Sequence, residues 1–107
     1  MDRPFLSLII PAYNEERRLP STLEKVSSFL NSQPYSAEVL VVNNASTDQT
    51  PKIIARAASE IAYLRGLDEP PPGKGAAVRT GMLKARGDYR FMADADLSMP
   101  IAEINRF

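Results

Sequence analysis

AEVLVVNNASTDQTPKIIARAAS, residues 37–59, contains the fold in miniature. AEVLVV (Ala37 to Val42) reads as a strand, a short apolar run of the kind that is buried in parallel sheets. NNASTDQT is polar turn chemistry. Thr50-Pro51 reads as an N-cap followed by a first-turn proline, opening the helix KIIARAAS. Strand, polar turn and helix together make half of a crossover unit.

The same alternation continues in both directions. Upstream, FLSLII (Phe5 to Ile10) is a buried strand stopped by Pro11. Leu19, Leu23, Val26 and Leu30 follow at spacings of four, three and four, one face of a helix that tolerates Pro20 in its first turn. Downstream, IAYLR (Ile61 to Arg65) is a third strand. DEPPPGKG is a loop, because consecutive prolines fit neither a helix interior nor a central strand. AAVRTGMLKARG is a helix whose inner face carries Val78, Gly81, Met82 and Ala85, with Gly87 as its C-terminal cap. YRFMA is a fourth strand, and Pro100 opens a last helix, IAEINRF. The alternation predicts one α/β domain over residues 1–107, a mostly parallel sheet with helices on both faces.

The last helix is too short to persist on its own propensity. Ile101, Ile104 and Phe107 share its apolar face. That face is expected to dock partly on the chain's own sheet and partly on a neighbouring copy, giving a homo-oligomer.

The composition excludes several chemistries. The 107 residues carry 13 Lys plus Arg and 13 Asp plus Glu. This balance gives no bulk charge to attract nucleic acid or an anionic membrane. Neither Cys nor His occurs, so disulfides, thiolate nucleophiles, a His base and His-ligated zinc are all excluded. A metal would have to be held by oxygen, which favours Mg²⁺, Mn²⁺ or Ca²⁺. No apolar run approaches the ~18 residues of a membrane span, and MDRPF lacks the apolar region of a signal peptide. The expected location is cytoplasmic.

Ligands of open α/β sheets bind beyond the carboxyl ends of the strands. PAYNEE, NNASTD and DADLS fall at such ends, and GKG opens the third helix, where backbone N–H groups and Lys74 can meet an anion. In FMADADLSMP (Phe91 to Pro100), Asp94 and Asp96 repel each other unless a cation lies between them. A metal-bound phosphate accounts for both features. Each is weak alone: Asp-x-Asp is common, GKG lacks the spacing of a P-loop, Asn43, Asn44 and Asp48 suit turns and caps, and Tyr13 packs as readily as it stacks. Their joint placement on one rim carries the reading.

Together, SLIIPAYNEE, VLVVNNASTDQT, GKGAAVRTGMLKARGDY and FMADADLS resemble the inverting glycosyltransferases of family 2, with a Rossmann-like GT-A fold. Within that family they are most similar to the dolichyl-phosphate β-glucosyltransferase and polyprenyl-phosphate mannosyltransferase branch. The resemblance implies a nucleotide-sugar-binding half and a hexose donor, UDP-glucose favoured over GDP-mannose. It also implies Mg²⁺ or Mn²⁺ and a polyprenyl- or dolichyl-phosphate acceptor at the cytoplasmic membrane face. It places Pro11, Tyr13 and Glu15 around the base and ribose, and Lys74 and Arg79 near the diphosphate. Asp96 would bind the metal, with Asp94 leaning toward the ribose or a metal-bound water. Asn43 stands where the family usually has an Asp that accepts from the base. Ser98 stands where mannosyl-transferring relatives often have a Gln near the metal. DEPPP replaces a more basic loop and removes positive charge beside the phosphates. The family's catalytic domain is longer, so the acceptor half and any catalytic base are not expected in these residues.

Two other readings remain open. One is a non-catalytic nucleotide-sugar-binding or assembly module. The other is a haloacid dehalogenase-type phosphatase, whose Asp-x-Asp nucleophile motif normally follows the first strand; here the motif follows the last.

Overall fold

The computed structural model describes residues 3–97 and 100–106. Its elements alternate as β1 (Leu6–Ala12), α1 (Leu19–Asn31), β2 (Ala37–Asn43), α2 (Thr50–Glu60), β3 (Leu64–Asp68), α3 (Lys74–Lys84), β4 (Tyr89–Met92) and a 3₁₀ turn (Ile101–Arg106). Among the described residues the strands form one parallel sheet in the order β3-β2-β1-β4. Two apolar strands, β1 and β2, occupy its centre, and their side chains alternate between two packed faces. Leu6, Leu8, Ile10, Val39 and Val41 meet α1, α2 and Ile104 on one side. Ile9, Leu40 and Val42 meet Ala77 and Ala85 beside α3 on the other. The predicted parallel sheet with helices on both faces is the observed one.

The predicted inner face of α1 is buried as expected, at Leu19, Leu23, Val26 and Leu30. Pro11, however, does not stop β1, which continues to Ala12. The Ile9 carbonyl accepts from Ala93 on the β4 side and the Ala12 carbonyl accepts from Asn44 on the β2 side. By alternation Pro11 turns its nitrogen toward the β4 side. There the ladder has already ended at Ile9–Met92, so no hydrogen bond is forfeited.

Details differ from the sequence reading, and α3 runs from Lys74 to Lys84 rather than over AAVRTGMLKARG. β3 is LRGLD rather than IAYLR, because Ile61 still donates to Ala57 to close α2. Thr50 is inside α2 rather than its cap, which is Gln49; the Thr50 N–H donates to Asp48 Oδ1 at 2.9 Å, one residue before the cap. On α3 the deeply buried positions are Ala77 and Gly81, while Val78 and Met82 are half-buried. Gly87 is not a left-handed cap. A Cβ there would lie 2.6 Å from Ser7 Oγ and 2.7 Å from Ser7 N, so the position requires glycine for close approach to β1.

The last element is a 3₁₀ turn, not an α-helix, in keeping with its shortness. Ile104 is buried in the core beside α1 and Ile101 is partly buried. Tyr35 donates to Asn105 Oδ1, and Asn105 donates to Gln33 Oε1. Intrachain docking therefore accounts for Ile101 and Ile104. Phe107, like Ser98, lies outside the described residues. Among the described residues no helix is long and apolar enough to cross a membrane.

Candidate active site

A cavity of about 490 Å³ opens at the carboxyl edge of the sheet, lined by residues from four segments. The ends of β1 and β2, the start of α3 and the turn after β4 all contribute. Pro11, Tyr13, Glu15, Lys74, Asp94 and Asp96, all singled out in the sequence, share this lining. Tyr13, part of the lining, is 58% exposed.

The first two loops are laced together. Asn14 N–H donates to Ser46 Oγ at 3.0 Å, Thr47 N–H to Asn14 Oδ1 at 2.8 Å, and Glu15 N–H to the buried Thr50 hydroxyl at 2.9 Å. Glu16 N–H donates to Asp48 Oδ2 at 3.3 Å. Desolvation pushes the Asp48 carboxyl up, but the bonds from Thr50 and Glu16 outweigh it and hold the pKa below the ordinary aspartate value. The polar run NNASTD thus fixes the PAYNEE loop as well as its own turn. Asn14, Ala45 and Leu97 have positive φ, 49°, 59° and 48°. All three sit in the loops that carry the lining, and a non-glycine residue in that region stores about 1 kcal/mol or more.

The two aspartates are presented by the alanine between them. Ala95 is buried in the core, and its carbonyl accepts the Thr22 hydroxyl of α1. That anchor turns Asp94 and Asp96 toward the rim. Lys74 Nζ pairs with Asp94 Oδ1. Arg18 holds Glu15 at 2.9 Å and reaches Asp96 Oδ2 at 3.7 Å. Arg18 was not among the residues expected from the sequence. The signal available was its position one residue before the apolar stripe of α1, which places it at the carboxyl edge.

Two expected residues fall outside the lining. Asn43 donates to Asp68 Oδ1 at 3.1 Å and accepts from Ser46 N–H, so its side chain serves the β2–β3 edge. Its neighbour Asn44 lines the cavity instead. Arg79 borders a separate hollow with Glu69, Gly75, Ala76, Thr80 and Leu83. Five residues along a helix is a turn of about 140°, which carries Arg79 away from the face Lys74 occupies.

Among the described residues no three carboxylates converge as a ready-made metal cage. Asp94 and Asp96 nonetheless fit a hard divalent ion. Mg²⁺-type sites commonly use one or two carboxylates and complete their shell with water and substrate phosphate.

Residues 7–107 match the family described as Glycosyl transferase family 2. The chain is 39% identical to a dolichyl-phosphate beta-glucosyltransferase of Trichomonas vaginalis over 98 residues, covering 86% of this chain and 30% of that protein. It is 36% identical to the dolichyl-phosphate beta-glucosyltransferase of Dictyostelium discoideum over 116 residues, covering 99% of this chain and 35% of the relative. Among solved structures it superposes on a mannosyltransferase from Pyrobaculum calidifontis in complex with GDP-Man and Mn²⁺. The TM-score is 0.79 at 31% identity, over 95% of this chain and 30% of the other. The chain therefore spans about a third of the length of the curated relatives it matches. The fold, the parallel order of the sheet and the family match agree: the chain belongs to glycosyltransferase family 2 and has its GT-A architecture.

Proposed function

We propose that residues 1–107 form the donor-binding part of a metal-dependent, inverting enzyme that transfers glucose from UDP-glucose to dolichyl phosphate. The observation that carries this is the cavity itself. A parallel sheet delivers an exposed aromatic, the Asp94 and Asp96 pair, Glu15 and a lysine to one rim. The named relatives act on dolichyl phosphate and transfer glucose, which supports the choice of sugar and acceptor over mannose.

Each group then has a role. Tyr13 and Pro11 offer a surface for the base, and Glu15, kept in place by Arg18, faces the ribose. Asp96 and Asp94 would hold Mg²⁺ or Mn²⁺. A divalent ion held there would offset the negative charge that builds on the diphosphate as it leaves. Lys74 supplies a second positive charge at the start of α3, where the helix N-terminus also favours anions. The acceptor is itself an anionic phosphate, so attack on the sugar needs little help from a base. The acceptor and the membrane surface would be met by parts of a full-length enzyme beyond the sheet described above.

The test is calorimetric titration of UDP-glucose and GDP-mannose, each with and without Mn²⁺. Metal-dependent binding with UDP-glucose tighter is the expected result. Tighter binding of GDP-mannose would overturn the donor assignment, and metal-independent binding would overturn the role of the aspartates.

A further inference from the structure

We propose that Asn44 is a positioning residue, one that fixes the triple-proline loop so that Gly73 and Lys74 face the phosphates of the donor. The inference rests on the nucleotide-sugar reading above and names how the phosphate side of that site is built.

The loop 69–73 has an unusual deficit. Pro70, Pro71 and Pro72 have no N–H, so the loop has no donor of its own between Glu69 and Gly73. Asn44 fills that deficit from the end of β2. Its amide donates to the Glu69 carbonyl at 2.9 Å and to the Pro71 carbonyl at 2.7 Å, and its Oδ1 accepts the Gly73 N–H at 2.9 Å. The side chain is buried, 4% exposed. Two donors and one acceptor at one position require an amide, and the reverse flip would set oxygen against two carbonyls. Aspartate, of the same size, could keep the Gly73 bond but neither of the others.

The consequence reaches the cavity through two residues. Gly73 has φ 131°, a conformation that disfavours any side chain, and it leads directly into α3. Lys74 is the first residue of that helix and pairs with Asp94 across the rim. Asn44 thus sets the loop, the loop sets the helix start, and the helix start sets the lysine. The base side of the cavity depends on the first two loops, which their own hydrogen bonds hold. Asn44 should therefore act on diphosphate binding and leave nucleoside binding alone.

The test has a part that needs no ligand. In the unmodified chain, amide hydrogen exchange by NMR should show Gly73 protected relative to Gly75, and an equally fast Gly73 would overturn the proposal. Asn44→Ala and Asn44→Asp are then titrated with UDP and with uridine in the presence of Mn²⁺. Both variants should lose about tenfold in UDP affinity while uridine affinity stays within about twofold. Equal losses for both ligands would mean a general structural role and contradict the inference. A loss confined to Asn44→Asp would mean charge repulsion and contradict it too. If the unmodified chain binds neither ligand, the nucleotide-sugar reading fails, while Gly73 protection still decides whether Asn44 holds the loop.

Discussion

The two ends of the sheet carry the same kinds of charged group and use them in opposite ways. At the amino edge, Glu38 is buried and over-supplied with partners. The Ser7 hydroxyl donates to it at 2.6 Å and the Arg86 N–H at 2.6 Å. Arg65 lies 3.3 Å and Arg86 3.7 Å from its other oxygen. Ser7 in turn accepts the Gly87 N–H at 2.8 Å. This clasp ties β1, β2, β3 and the α3–β4 turn together. At the carboxyl edge, Asp94 and Asp96 are half-buried to exposed, and each is paired with a partly exposed lysine or arginine. A carboxylate whose valences are filled from inside is a structural rivet. Carboxylates left on an open rim beside flexible cations keep coordination capacity for a ligand. Burial separates the two uses, not residue type.

Substitutions should separate them as well. The largest effect is expected at the amino edge. Glu38→Ala removes the acceptor for the buried Ser7 hydroxyl and the part-buried Arg86 N–H, while Arg65 and Arg86, 39% and 55% exposed, lose a partner but remain within reach of water, so it should cost about 2 kcal/mol in denaturant unfolding. Any folded fraction should still bind UDP-glucose as before. A loss under 0.5 kcal/mol, a bound of about the size expected for ordinary surface changes, would dissolve the contrast.

The carboxyl edge should show the reverse. Asp96→Asn should leave the unfolding midpoint nearly unchanged and remove the Mn²⁺-dependent part of donor affinity. Asp94→Asn should weaken that affinity less, by about fivefold. Equal losses in calorimetry would erase the distinction between the two aspartates.

Acid provides the gentlest probe. Burial pushes Glu38 up, but the Ser7 and Arg86 hydrogen bonds and the two arginine charges outweigh it and hold the pKa below the ordinary glutamate value of 4.5. A depressed carboxylate stabilises the fold above its unfolded-chain pKa and stops doing so as pH falls through the folded value. Stability should therefore decline below 4.5, and Glu38→Gln should flatten that decline. An unchanged acid slope in the variant would place the titration elsewhere.

How far this was legible in the sequence differs by feature. Long patterns survived: the stripe on α1 and the apolar centres of β1 and β2 stand where the sequence put them, although β1 runs on through Pro11 to Ala12. The weaker third strand shifted because Ile61 looks like a strand residue but finds its partner in Ala57, one helical turn behind. Gly87 reads as a helix cap, yet what demands glycine is Ser7, eighty positions away. That kind of demand cannot be read locally. Asn43 and Asn44 are chemically identical neighbours, and only the geometry at the end of β2 decides that the second one enters the cavity. Glu38 looks like an ordinary polar residue in a strand until Arg65 and Arg86 are brought beside it. The rim itself was legible because parallel strands bring their carboxyl ends to one edge, whatever their separation in the chain.

The contrast and the proposed site meet in one experiment: NMR of the chain with UDP-glucose and substoichiometric Mn²⁺, following which amides the paramagnetic ion broadens. Broadening is expected at Tyr13, Lys74 and Ala95, with Glu38, Arg86 and Gly87 remaining sharp. Broadening at the amino edge, or none at the carboxyl edge, would contradict this expectation.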